Sequence, residues 1–436
     1  MFILGNWGGY IVPSSAAVAL SVLSLSCVPA EKKQTVDELV EVPLQKTPIT
    51  STSTGEKKEA EEEKTQEESL EELCDQIVSN VYQYNIKQAE VFYKKAAVRA
   101  DANKSPLFIL AEARFFNEWH QRDQLRKGRD FDAVRRHYRD IVAKLETVFL
   151  DDELDKSTRA FANFLAGTFY LRLARLEDQT GHKRRASEYI QVAANNLTRA
   201  LDYGNPFAHA DMISLKILAE TYAIHTSLKK PDNQGNSEII KKLIDELDLR
   251  ERMAGILYSR GLGLANNLNN EFERAHANAV LHTRYAFYNL QLAEIKKEKE
   301  KKNQCLTTAE RLLLKAIESN PKYERGHNIL GATYLKFADL TEGSDQILMY
   351  SEKALAEFRK ASELCPNDSA IYCNMLDALS RKAGCLNSMS EPASAAFVLQ
   401  EVFDIANHII QMSETWNVPE KDMDAARSCI KKLRGG

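Results

Sequence analysis

Residues 309–366 read AERLLLKAIESNPKYERGHNILGATYLKFADLTEGSDQILMYSEKALAEFRKASELCP, and one pattern of residues occurs in this stretch twice. Each copy has an alanine, a large apolar residue four positions later, a second alanine three positions after that, and a proline after five more. Small residues at this spacing let two helices approach closely, the large residue fills the space between them, and the proline ends the helix. The two copies consist of Ala309, Leu313, Ala316 and Pro321, and of Ala354, Phe358, Ala361 and Pro366.

Between the two copies lie Leu330, Gly331 and Tyr334, and with them the stretch resembles the tetratricopeptide (TPR) repeat. In that family the first helix of a pair carries Leu-Gly and Tyr, and the second helix carries two alanines around a large residue. The resemblance implies antiparallel helix pairs that stack into a solenoid and bind other proteins. It also implies that Gly331 lies where the two helices of one pair cross.

The repeats are longer than a standard TPR. A weaker copy of the pattern lies within residues 164–206, and a last one begins at Tyr372. Gly331 and Ala354 are 23 positions apart, whereas about twelve positions are usual in the family. Insertions close to whole helical turns keep the packing face in register, so we predict extended helices. The charged run at residues 296–302 (KKEKEKK) is predicted to be one such extension, with solvated side chains.

From residue 70 onward every substantial segment has the apolar period of an amphipathic helix, and no segment alternates as a strand does. The sequence therefore predicts an all-α fold, an antiparallel helix-pair solenoid of TPR-like repeats with extended helices, preceded by a disordered tether. We divide the body into an N-terminal helical TPR-like region at residues 70–250 and a C-terminal TPR-like region at residues 251–436.

The N-terminal residues have the pattern of an export signal. Residues 11–26 (IVPSSAAVALSVLSLS) are apolar or small, and Cys27 follows them directly. This arrangement resembles the lipobox of bacterial lipoproteins, which implies that residues 1–26 are removed as a signal peptide and that Cys27 is lipidated. Residues 27–69 are rich in Lys, Glu, Thr and Ser, so they are predicted to form a disordered, lipid-anchored linker. We expect a protein anchored in the bacterial envelope and facing the periplasm, with the outer membrane as one option.

A second resemblance covers residues 250–404. Residues 252–264 read RMAGILYSRGLGL, and we place their LY-x-RG part between two helical segments. Together with the alanine-rich helices that follow, this order resembles the lipoprotein T-components of tripartite ATP-independent periplasmic (TRAP) transporters. The sequence departs from that family at residues 341–345, which read TEGSD where the family has Gly-Gly-Asp. The resemblance implies that the protein partners a periplasmic solute receptor.

The TPR pattern also predicts which side chains face a partner, because in that family these are positions two, five, nine, twelve and thirteen of the first helix. Applied to three repeats, the pattern predicts a groove for a helix or an extended segment of a protein partner. A clamp for C-terminal carboxylates is not supported, since no repeat has Lys at position five and Asn at position nine. The alternative is that several of these residues only pack between repeats. The predicted groove residues are Phe161, Phe164, Arg172, Arg325, Asn328, Leu335, Lys336, Asp377 and Arg381.

Composition and motifs narrow the function. The formal net charge is −4 and the basic clusters are interleaved with acidic residues, so no nucleic-acid partner is predicted. The sequence contains no HExxH, GxSxG, phosphate-loop or Cys/His ligand spacing, so we predict no enzyme, no cofactor and no metal. Three hypotheses remain: a protein-interaction scaffold of the bacterial envelope, a T-component accessory lipoprotein of a TRAP transporter, or an intracellular TPR adaptor with an N-terminal anchor.

Overall fold

The computed structural model describes most of the predicted helical body. The predicted signal peptide, Cys27 and the linker as far as residue 67 lie outside the described residues and stay predictions. The described residues are 68–99, 102–123, 130–217, 237–416 and 418–435, together with Thr221, Ile224 and Ser227.

Fifteen α-helices make up nearly all of the described residues, with a 3-10 turn at Ala102–Lys104 and a π-helical turn at Met212–Ile217. The helices are α1 (Leu70–Tyr82), α2 (Ile86–Ala97), α3 (Pro106–Asp123), α4 (Phe131–Phe149), α5 (Lys156–Gln179), α6 (Lys183–Asp202), α7 (Pro206–Asp211), α8 (Ser237–Asn266), α9 (Glu271–Ile295), α10 (Lys299–Ser319), α11 (Glu324–Asp339), α12 (Ser344–Leu364), α13 (Ser369–Ser388), α14 (Pro392–Thr415) and α15 (Glu420–Gly435).

Successive helices pack as antiparallel pairs, and the pairs stack into a solenoid of TPR-like repeats. Contacts also link α1 to α3, α3 to α5, α7 to α9, α9 to α11, α11 to α13 and α13 to α15. We call this series the inner helices. The predicted all-α solenoid with extended helices is confirmed, since α5 has 24 residues and α12 has 21.

Glycine at the crossing point lets the helices of one pair approach each other. A Cβ atom on Gly331 of α11 would lie 2.5 Å from Phe358 Cε1 of α12, closer than real Cβ contacts allow. Gly167 of α5 faces Leu197 of α6 in the same way, at 2.9 Å. Phe358 is fully buried. The spacing read from the sequence therefore corresponds to a direct contact between a small and a large residue.

Side chains that accept hydrogen bonds from backbone N–H groups begin several helices. Ser69 Oγ accepts from Glu72 N at 3.1 Å while Glu72 Oε2 accepts from Ser69 N at 2.7 Å, a capping box at the start of α1. Asn205 and Asn270 cap α7 and α9 through their side-chain oxygens. These caps fix where the inner helices start, and therefore which residues face inward.

One prediction about local structure is wrong, and another is correct only in part. The LY-x-RG part does not lie between helices, because all of residues 252–264 belong to α8. Gly261 marks a close approach there, since its Cβ would lie 2.6 Å from Leu281 of α9. The charged run at residues 296–302 extends a helix only in part, because residues 299–302 form the first turn of α10 whereas residues 296–298 lie between the end of α9 at Ile295 and the start of α10. The division predicted between residues 250 and 251 falls inside α8 and stays a prediction.

The first helix also packs on the ninth, although some 190 residues separate them. Tyr82 OH of α1 donates to Glu273 Oε1 of α9 at 3.3 Å. Asn270 Nδ2 donates to Ser79 Oγ at 3.3 Å. Because α1 contacts α9 and neighbouring inner helices contact each other, the helices α1, α3, α5, α7 and α9 surround a common space.

None of the helices in the described part of the chain has both the length and the apolar character needed to cross a membrane.

Candidate binding pocket between the inner helices

A partly open pocket, which we call the inner pocket, lies in the space that the inner helices surround, with a cavity volume of about 90 Å³. Its walls come from α1, α3, α5, α7, α9 and α11 and from the residues next to α1 and α11. The chain therefore builds it from residues more than 240 positions apart. The lining residues are Val81, Tyr82, Tyr84, Arg114, Asn117, Glu118, Phe164, Leu165, Thr168, Phe207, Asp211, His276, Val280, Arg284, Tyr323, Glu324 and Arg325.

One wall of the inner pocket is a cluster of rings around His276. The imidazole centroid lies 4.9 Å from the ring of Tyr82, 5.8 Å from Phe207, 5.5 Å from Tyr323 and 6.1 Å from Tyr84. Three of the four rings belong to tyrosines, and the four rings come from three separate parts of the chain. The cluster offers an apolar surface with polar edges.

His276 has an unused hydrogen-bonding atom in this cluster. Its side chain is 8% exposed, and Nδ1 has no hydrogen-bond partner among the described residues. Burial, followed by the nearby charge of Arg325, lowers the pKa of His276 to about 3. The imidazole is therefore neutral at pH 7 and carries one N–H donor and one acceptor nitrogen. A neutral imidazole can pair with a donor or with an acceptor of a bound group.

Arg114 also lines the inner pocket. Its Nη2 lies 2.7 Å from Glu273 Oε1, in an ion pair that is almost buried. The guanidinium also lies over the ring of Phe161, 4.4 Å from the centroid. Both contacts fix the side chain in place, since a stacked and paired guanidinium keeps little freedom.

The two other arginines of the inner pocket also lie beside carboxylates. Arg284 Nη2 lies 3.4 Å from Asp211 Oδ1, and Arg325 Nε lies 3.8 Å from Glu324 Oε1. Burial raises the pKa of Asp211, while the charges of Arg284 and Arg325 act in the opposite direction. Three arginines and three carboxylates line the pocket, so its formal charges balance.

Tyr84 has a backbone conformation that residues other than glycine rarely adopt. Its φ is 61°, and the bonds from Tyr84 N to Val81 O and from Asn85 N to Asn80 O form a Schellman turn at the end of α1. Glycine is usual at this position, because a Cβ atom costs about 1–2 kcal/mol in the left-handed region. A large ring at the edge of the pocket is thus kept in a strained position.

Four of the predicted groove residues lie at the inner pocket or next to it. Phe164 and Arg325 line it, although they come from different repeats. Phe161 is only 6% exposed and lies under Arg114, so it supports the wall. Arg172 Nη2 donates to Asn117 O at 2.8 Å, and Asn117 is part of the lining.

The remaining predicted residues lie along α11 and α13, away from the inner pocket. Leu335 is 6% exposed and belongs to the core. Lys336, Asp377 and Arg381 take part in ion pairs that connect consecutive inner helices or neighbouring turns, among them Lys336 Nζ to Glu294 Oε1 at 2.9 Å. Asn328 Oδ1 accepts a hydrogen bond from Asn374 of α13 at 2.9 Å. These side chains bridge the inner helices, and their role toward a partner stays a prediction.

Sequence reasoning missed most of the pocket. Arg114, His276 and Arg284 gave no signal, because a single charged or imidazole side chain in a helix has no characteristic spacing. Tyr84 had a weak signal, since it follows the last apolar residue of α1 where a glycine is typical.

Two polar side chains of the lining, His276 and Thr168, make contacts with rings and with one backbone oxygen. His276 makes only ring contacts within the described residues. The one aliphatic hydroxyl of the lining, on Thr168, donates to Phe164 O of its own helix at 3.0 Å. Over the same described residues, no three His, Cys, Asp or Glu side chains are grouped so that they could hold a metal ion.

Comparisons with known proteins found solved structures of low similarity. No family model matches the sequence, and no curated protein matches it. Among solved structures, a circular tandem repeat protein with a novel repeat topology is 12% identical, with 84% of this chain and 94% of that chain covered and a TM-score of 0.28. Yeast Tom70 is 11% identical, with 84% of this chain and 82% of that chain covered and a TM-score of 0.25. Values this low indicate no ligand or partner for this chain.

Proposed function

We propose that this protein is an interaction scaffold that binds a segment of a protein partner in the inner pocket and along the inner helices. The observation that carries the proposal is the inner pocket itself, in which six inner helices converge on one open site with balanced charges and an aromatic wall. Phe164 and Arg325 belong to this site, and the TPR pattern of the sequence predicted both of them to face a partner.

Arg325 allows a direct test of the site. Arg325→Glu should weaken capture of the partner by about fivefold or more, and more strongly at low salt, because charges at the edge of a site act on association. Arg359→Glu is the matched control, since Arg359 lies on α12, outside the pocket lining, and is also ion-paired, to Glu401 at 2.7 Å. Equal capture by both variants at unchanged helicity would place partner binding outside the inner pocket.

We further propose that a lipid on Cys27 holds the scaffold in the bacterial envelope, facing the periplasm, with residues 27–69 as the tether. The apolar stretch that ends at Cys27 and the charged linker composition support this. Cys27→Ser should leave the signal peptide uncut or release the protein from membranes in detergent-free fractionation. Full membrane retention together with an N-terminus at Met1 would contradict it.

A narrower form of the proposal names the partner as the solute receptor of a TRAP transporter. It is supported by the order of alanine-rich helices in residues 250–404. The LY-x-RG part gives it less support than expected, since it lies within α8. A purified solute receptor that binds wild type and loses affinity with Arg325→Glu would identify this partner; no binding would leave the general scaffold.

A further inference from the structure

The inner pocket also indicates which chemical group of the partner it receives, and this inference rests on the proposed function. The first observation is His276, which is 8% exposed, lines the pocket and has an Nδ1 atom without a hydrogen-bond partner in the described part of the chain. A buried polar atom left without a partner costs free energy, so a ligand that satisfies it gains affinity.

The charges of the pocket argue against a charged occupant. Arg114 is ion-paired at 2.7 Å and stacked on a ring, and the formal charges of the lining sum to zero. A carboxylate or an ammonium group would therefore enter with an uncompensated charge, which is costly in a site this buried. An uncharged polar group brings no such cost.

The size of the pocket argues for a single side chain. Its cavity volume is about 90 Å³, whereas sites for whole cofactors and drug-sized ligands have roughly 300–1,000 Å³. Rings of Tyr82, Tyr84, Phe207 and Tyr323 surround the imidazole on which the occupant would lie. An aromatic ring is the body that packs best against such a wall, by edge-to-face and offset contacts.

Tyr84 supports the same conclusion. Among the described residues, Gly204 and the exposed Ser390 lie in turns with the same two Schellman hydrogen bonds, and Gly181 lies in a turn with one of them. Of these described residues with positive φ, only Tyr84 brings a large ring into the strained position, and that ring lies at the inner pocket. Strain that is kept where a smaller residue would relieve it points to a binding role for the ring.

We propose that the inner pocket binds one uncharged, hydrogen-bonding aromatic side chain of the partner segment, of the tyrosine or tryptophan kind, with His276 as its hydrogen-bond partner. The ring packs against the tyrosines and Phe207, and its hydroxyl or indole N–H reaches the imidazole.

The test uses small probes that differ in one group. The full-length chain, labelled with ¹³Cε1-histidine, is titrated with p-cresol, toluene and 4-methylbenzoate, and the NMR signal that disappears in His276→Phe is assigned to His276. p-Cresol should shift this signal and saturate. Toluene should bind about threefold to tenfold more weakly, as expected for one missing hydrogen bond, and 4-methylbenzoate more weakly than p-cresol. The affinities are compared on wild type alone, and the variant is needed only to assign the signal.

A matched control lies on the same helix. His282 is also 8% exposed on α9, but its Nδ1 is hydrogen-bonded to Tyr258 OH at 2.8 Å. His276→Phe should remove the preference for p-cresol over toluene, whereas His282→Phe should keep it. N-acetyl-Ala-Tyr-Ala-amide should bind at least as tightly as p-cresol if the natural occupant is a side chain.

The results that would overturn the inference are equal affinities for p-cresol and toluene, tighter binding of 4-methylbenzoate, or a tripeptide that fails to bind while p-cresol binds. These failures differ from failure of the proposed function. If the probes fail but Arg325→Glu still weakens partner capture, the scaffold stands and the aromatic side chain is wrong. If the probes bind but Arg325→Glu and Arg359→Glu capture the partner equally, the proposed function is wrong.

Discussion

Replacing Gly331 with alanine tests the contact on which the repeat depends. The new Cβ atom would lie 2.5 Å from Cε1 and 2.7 Å from Cδ1 of Phe358, and this ring is fully buried. Overpacking of this kind costs about 1–3 kcal/mol. Replacing glycine with alanine in a helix interior also stabilises the helix by about 0.5–1 kcal/mol, which offsets part of this cost.

Gly384→Ala is the matched control, because Gly384 lies in α13 and a Cβ atom there meets none of the described atoms within 4 Å. It should raise the free energy of unfolding by about 0.5–1 kcal/mol. The helix contribution is common to both variants, so their difference isolates the overpacking, at about 1–3 kcal/mol. Urea unfolding of the full-length chains, followed by far-UV circular dichroism, measures this difference.

A double-mutant cycle makes the test specific for the pair. Phe358→Leu removes the ring atoms that the new Cβ would meet, so this change should cost clearly less in the Gly331→Ala background than in wild type. Equal stabilities of Gly331→Ala and Gly384→Ala, or an equal cost of Phe358→Leu in both backgrounds, would refute the close crossing of α11 and α12.

Two further predictions concern pH and backbone strain. Burial, followed by the charge of Arg325, lowers the pKa of His276 to about 3, and histidine in an unfolded chain titrates near 6.5. Below pH about 6.5 the unfolded chain binds a proton that the folded chain does not, so the free energy of unfolding should fall by on the order of 2–3 kcal/mol by pH about 4.5. His276→Phe should remove this part of the fall, as measured by urea unfolding. An equal fall in wild type and His276→Phe would contradict the prediction. Ser390 is exposed with a φ of 63°, so Ser390→Gly should stabilise the fold by about 1 kcal/mol, and a lower melting temperature would show that the turn is not strained.

The helix pairs could be predicted because their signal is local. A small residue on one helix and a large one on the next recur at spacings of whole turns, and Gly331 with Phe358 shows the contact that this spacing encodes. The errors arose where one residue type serves two purposes. Gly261 resembled a break between helices, but it allows α8 to approach Leu281 of α9. The charged run at residues 296–302 has no apolar period, so nothing in it distinguished a helix from a turn.

The inner pocket could be predicted only in part, because it depends on contacts between distant residues. The repeat pattern identified Phe164 and Arg325 as inward-facing, since each occupies a defined position of its own helix. It could not identify Arg114 or His276 as their neighbours. That proximity depends on how α1 packs on α9, and the side chains of that contact, such as Tyr82 and Glu273, have no periodic signal.

The packing of α1 on α9 also affects how binding acts on the fold. In a simple solenoid each repeat contacts only its neighbours, so the two ends of the array are independent. Here Tyr82 bonds to Glu273, and Lys322 Nζ, close to α11, donates to Gln83 O at 3.2 Å. A side chain in the inner pocket would contact both sides of this closure at once, because the lining includes Tyr84 after α1 and Tyr323 before α11. Its binding free energy would therefore add to the stability of the contact between α1 and α9. A partner that binds more tightly would stabilise this contact more.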